Sequence, residues 1–193
     1  MRKTHFLGLI AIVATIFSAR GDIIPTLSPN PPAAAVGGFT WNYSTNVTVD
    51  QMVTQGDFFT IYDFGSFTAG SNLQPVGWAF SSSLVGTNPP LVLPTDNPAL
   101  LNLTWTYTAT TPINGSALLG QFSVIAATNQ LKDSDFAAEA TRSSGPNAGT
   151  KVENIGRISV PVPEMSALLP ILSICGASVA AGIPSFLRRR KTR

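Results

Sequence analysis

At 193 residues the chain has room for one ordinary domain plus accessory segments. Its formal charge of +2 hides a division: eight of the twelve Lys and Arg residues flank apolar runs at the two ends, while between Asp22 and Val160 four basic residues face nine acidic ones, a net of −5. That acidic body excludes a nucleic-acid partner, and because the only histidine is His5 and the only cysteine Cys175, it also excludes disulfides, thiolate nucleophiles, Ser-His-Asp chemistry and a conventional zinc site.

The first segment pairs a short positive region, MRKTH, with the twelve-residue apolar run Phe6 to Phe17. As a helix that run rises about 18 Å, short of a hydrocarbon core of about 30 Å, so it fits the hydrophobic region of a secretory signal peptide rather than an anchor. Ala19 and Gly21 place small residues at −3 and −1 for cleavage after Gly21, with cleavage after Ala19 as the alternative. Residues 1–21 are therefore expected to be a removable leader. The stretch 22–37 carries TLSPNPPAAA, whose three prolines and three alanines predict a flexible N-terminal segment.

Residues 38–160 read as a β-domain. In FTWNYSTNVTV, Phe39, Trp41, Tyr43, Val47 and Val49 share one face, with Thr40, Asn42, Ser44, Asn46 and Thr48 on the other, the period of a half-buried strand. LLNLTWTYTAT repeats the pattern with Leu101, Leu103, Trp105, Tyr107 and Ala109. Phe58 to Phe64, Val76 to Ser82, Leu118 to Ala126 and Val152 to Val160 are rich in β-branched or aromatic residues and predict further strands, while Phe136 to Arg142 is open between a short helix and an outer strand. Turn signals separate them at Gly37-Gly38, Gln55-Gly56-Asp57, Thr87-Asn88-Pro89-Pro90, Asp96-Asn97-Pro98 and Asn114-Gly115-Ser116. Short strands spaced by turns predict an all-β fold, an antiparallel sandwich of jelly-roll or Ig-like kind.

Chemistry in this body is sparse. Asp133, Asp135 and Glu139 are the one carboxylate group close enough in sequence to test for glycan hydrolysis, and Asp50, Asp57 and Asp63 the one set to test for Ca²⁺, although no calcium-loop spacing is present. The same acidic residues also read as solvated turns and caps. Trp41 and Trp105 sit on apolar strand faces and are expected in the core, whereas Trp78, between Gly77 and Ala79, is the candidate for carbohydrate contact. The Asn-X-Ser/Thr triplets at Asn42, Asn46, Asn102 and Asn114 are what Thr- and Asn-rich strand faces produce. The reading is non-enzymatic, with no metal and no cofactor.

The tail is the most informative segment. Met165 to Leu187 carries no charge over 23 residues, about 35 Å as a helix and long enough to span a bilayer. RRRKTR follows at once, a positive cluster of the kind retained on the cytoplasmic side. Before the span, Pro161 and Pro163 each fix φ near −65° and remove an amide donor, which predicts an extended, unpaired segment that a protease can grip. Val162-Pro163-Glu164, the apolar span and then Arg188, Arg189, Arg190 and Lys191 resemble, in order and spacing, a PEP-CTERM sorting signal, with Met165 where the family has its second proline. GDFFTIYDFG, PVGW and NLTWTYT, beginning at Gly56, Pro75 and Asn102, are similar to segments of predicted β-sandwich domains in that group.

The resemblance implies an exported bacterial protein held for a time in the inner membrane by one span. It further implies an exosortase-type membrane protease as partner, release to the cell surface or extracellular matrix, and a structural or adhesive role beside exopolysaccharide. Two alternatives stand against it: a membrane-anchored carbohydrate-binding module and a carboxylate-dependent glycan hydrolase.

Overall fold

The structure is a computed structural model that describes residues 23–163. The expected leader, the span 165–187, Glu164 and the basic residues Arg188, Arg189, Arg190 and Lys191 lie outside the described residues. Among the described residues every regular element is a strand, all pairings are antiparallel, and no helix is long and apolar enough to cross a membrane.

Two sheets share one hydrophobic core. The first is centred on β3 (Gly38–Val47), which pairs along one edge with β9 (Ala117–Ala126) and along the other with β1 (Ile23–Leu27) and then β2 (Ala33–Ala35). The second runs β6 (Trp78–Ser83), β7 (Asn102–Tyr107), β5 (Phe58–Ile61), β10 (Leu131–Arg142) and β11 (Lys151–Pro161). The short β4 (Gln51–Val53) continues the line of β5 along β10, with β8 (Ile113–Asn114) outside it.

Alternation explains the strands read from sequence. Trp41, Tyr43 and Val47 of β3 and Leu103, Trp105 and Tyr107 of β7 all turn inward and are buried. At the centre Phe122 of β9 meets Phe59, Trp78 and Trp105 of the second sheet with ring centroids 5.0, 5.0 and 5.8 Å away. Phe59 and Trp105, neighbours on adjacent strands, stack at 5.2 Å. The four rings join the sheets.

Two expectations are corrected. The segment 22–37 is not a flexible lead-in: β1 pairs residue for residue with β3, and Ile23 and Leu27 enter the core. Pro25 is tolerated there because an edge strand needs only one of its two hydrogen-bonding sides. Phe136 to Arg142 is neither helix nor outer strand but the middle of β10, flanked by β11 on one side and by β5 and β4 on the other. Its small residues fit that place, since Ala138 and Ala140 pack inward and Ala137 is covered on the opposite face.

The free edge of β9 is covered. Thr68 and Leu73 donate backbone N–H groups to the carbonyls of Ile125 and Ser123, Ser123 returns a bond to Leu73, and the Ile125 amide donates to the Ser71 hydroxyl. A covered edge removes a template for strand addition by another chain.

Candidate functional site

Residues 84–101, without regular structure, cross the outer face of the second sheet. There the side chains of Thr60, Tyr62, Asn102 and Thr104 point away from the core, yet Asn102 and Thr104 are buried because this segment covers them. Thr60 donates to the Thr87 carbonyl at 3.0 Å, and the Tyr62 hydroxyl contacts the Thr87 carbonyl and Asn88 Oδ1 at 2.7 and 2.6 Å. Gly86 lies against the Tyr62 ring so closely that a Cβ there would fall 2.2 Å from a ring carbon. Burial, followed by the nearby Asp96 and Asp135 charges, pushes the Tyr62 phenol far above its ordinary value.

The three tryptophans are all core residues. Trp78 is 6% exposed and packs on Phe59, Tyr107 and Phe122 with centroids 5.0 to 6.0 Å away, so its ring offers no face to a sugar. The expected carbohydrate contact at Trp78 is thereby corrected. Small neighbours put it inside: Gly77 has a φ of +87°, a conformation that favours glycine, and a Cβ there would press on Ala109 at 3.1 Å and on the Tyr107 ring at 3.3 Å.

The carboxylate group expected for hydrolysis lies along one face of β10. Asp135 and Glu139 are four residues apart, roughly 13 Å along a strand and beyond the separation of paired glycosidase carboxylates, whereas Asp133 and Asp135, two residues apart at roughly 7 Å, fall within it, so the state of Asp135 decides the matter. Asp135 accepts from the Thr95 amide at 2.7 Å and from Arg157 at 2.6 Å. Burial pushes the Asp135 carboxyl up, but the Thr95 and Arg157 hydrogen bonds and the Arg157 charge outweigh it and hold it below the ordinary carboxylate value. A general acid needs the opposite shift.

The depressed Asp135 value has a consequence for acid stability. Its contribution is complete above the unfolded-state value of about 3.9 and is lost as pH falls through that value toward the folded one. Urea midpoints measured from pH 6 to pH 3 are expected to fall more steeply for the unaltered protein than for Asp135→Asn. Equal slopes would contradict the ion pair.

Asp50, Asp57 and Asp63 do not converge. Asp50 accepts from Ser144, Asp63 from the Asn97 amide, and Asp57 is occupied by Thr54, Thr141 and Lys151. Among the described residues no three His, Cys, Asp or Glu side chains are grouped to hold a metal ion. Of the glycan triplets, Asn102 is buried and Asn42 donates to the Ser28 carbonyl at 2.7 Å.

The segment that precedes the tail is extended but not unpaired, which corrects that expectation. Pro161 closes β11 opposite Leu131, and the Val162 amide donates to the Gln130 carbonyl at 2.9 Å. Pro163 sits in a shallow hollow formed by Gly65, Ser66 and Ala99 to Leu101. Backbone pairing therefore runs to within two residues of Glu164. Neither family models nor curated proteins nor solved structures give a match to this chain.

Proposed function

We propose that this chain is an exported bacterial surface or extracellular-matrix protein, non-enzymatic, with a structural or adhesive role beside exopolysaccharide. Its two sheets form an antiparallel sandwich of jelly-roll or Ig-like kind. A leader directs export, residues 165–187 hold the protein in the inner membrane, and an exosortase-type protease acts at the segment around Val162, Pro163 and Glu164, with Arg188, Arg189, Arg190 and Lys191 marking the cytoplasmic side.

The observation that carries the reading is how far backbone pairing runs toward the tail. Strand pairing continues to Pro161, and one more hydrogen bond holds Val162. A protease that needs an extended, unpaired stretch does not find it on β11, which is paired to its last residue, so its site lies past Val162. The intact mass of the protein recovered from the surface or medium of its own organism tests this. The expected form ends between Pro163 and Met165. A chain still ending at Arg193, found only with membranes, would make the tail a permanent anchor and place the role at the outer face of the inner membrane.

A further inference from the structure

Asp57 closes the loop between β4 and β5, and its side chain is sealed from solvent. One oxygen, Oδ2, receives three donors: the Thr54 amide at 2.7 Å, the Thr54 hydroxyl at 3.1 Å and the Thr141 hydroxyl at 3.0 Å. The other, Oδ1, faces the Lys151 ammonium, with the Thr141 hydroxyl at 3.3 Å. Glu139 Oε1 lies 3.5 Å from the same Lys151 nitrogen. Register brings these groups together: Lys151 begins β11 directly opposite Thr141 of β10, and Glu139 of β10 is opposite Phe58, the residue after Asp57. Three consecutive strands thus aim an amine and two carboxyls at one point.

We propose that the folded domain joins Lys151 Nζ to Asp57 Cγ as an intramolecular amide, with Glu139 as the proton carrier. Glu139 takes a proton from the ammonium and delivers it to Oδ1, giving a neutral amine beside a neutral carboxyl. Nζ adds to Cγ, and the negative charge that develops on Oδ2 meets the three donors already in place. A second proton passes from Nζ by way of Glu139 to Oδ1, the Cγ–Oδ1 bond breaks, and Oδ1 leaves as water. Ammonium plus carboxylate gives one amide and one water, and no oxidant, reductant or cofactor is consumed.

The arrangement supplies what the reaction lacks in solution. Amine and carboxyl are held in contact by the sheet, which replaces a bimolecular encounter. Lys151 is 43% exposed on its side chain, so the water has a way out. The product removes a charge pair from a buried position and leaves Oδ2 as an amide carbonyl with its donors intact. It also ties β11 to the β4–β5 loop across β10, closing a loop between residues 94 apart in sequence.

Peptide mapping of the folded, full-length protein tests this. The peptides bearing Asp57 and Lys151 are expected to travel as one branched species, lighter than their sum by one water, and trypsin is expected to leave the bond after Lys151 uncut. Lys151→Arg keeps the ion pair and cannot form the amide, so the water should return to the mass. In freshly refolded protein, Glu139→Gln should slow joining by roughly 100-fold, the size of a lost acid–base group. Separate peptides with Lys151 cut by trypsin overturn the proposal, whatever the variants do. A missing water that persists in Lys151→Arg overturns it as well, because the loss would then lie elsewhere in the chain.

Discussion

Replacing Phe122 by alanine is expected to lower the unfolding free energy by about 3–5 kcal/mol, the cost of emptying a phenylalanine site in a packed core. Phe122 is the ring that β9 contributes to the aromatic group of the second sheet, and it is fully buried against Phe59, Trp78 and Trp105. Edge-to-face pairs of this kind contribute about 0.5–1.5 kcal/mol beyond area burial, so losing three contacts at once places the effect toward the upper end. Leu118 lies four residues earlier on the same strand and is 68% exposed. Leu118→Ala should stay within about 0.5 kcal/mol. Urea midpoints of both variants, compared at constant slope, read the difference. A Phe122→Ala cost below about 1 kcal/mol would mean that the two sheets do not share the core described.

Period-2 alternation made β3 and β7 legible, because Trp41, Tyr43, Leu103 and Trp105 fall on one side of chains whose other side is Thr and Asn. The same rule misjudged the polar side of β7. Thr104 and Asn102 are polar and also buried, and no local pattern announces that a segment beginning near Leu84 will lie over them. Trp78 was misread because small neighbours resemble a weak, open strand, when Gly77 is what allows close approach to Tyr107. β1 was hidden by prolines and alanines that resemble a linker, although Ile23 and Leu27 already had strand spacing.

Long-range register was the other hidden quantity. Asp57 and Lys151 meet only because β10 and β11 pair residue for residue from Leu131 to Thr141, and the sole local sign of this place was the turn Gln55-Gly56-Asp57. The tail was legible as a composition, an apolar span followed by five basic residues in six. The bond from Val162 to Gln130 was not, since it depends on how far β11 stays paired.

Asn102→Ala is expected to cost about 3 kcal/mol and to free the segment 84–101. The Asn102 side chain accepts from the Asp63 amide at 2.7 Å and donates to Asp96 Oδ1 at 3.0 Å and to the Leu84 carbonyl at 3.3 Å. Asp96 in turn holds the Gly86 amide at 3.0 Å, the point at which the segment rests on Tyr62. Truncation leaves a backbone donor, a carbonyl and a carboxylate without their partner, and each buried polar group so left costs about 1–3 kcal/mol. Water reaching the exposed side of the segment offsets part of that, which keeps the estimate below the sum. Limited proteolysis should show new cleavage between Leu84 and Leu101, and the urea midpoint should fall. Asn102→Asp separates hydrogen bonding from shape: it keeps the volume, removes both donated bonds and sets a second carboxylate against Asp96, so its defect should shrink as pH falls and the pair takes up a proton. If both variants keep the segment resistant to protease at neutral pH, Asn102 is not what holds it down, and the contacts of Thr60 and Tyr62 with Thr87 are sufficient alone.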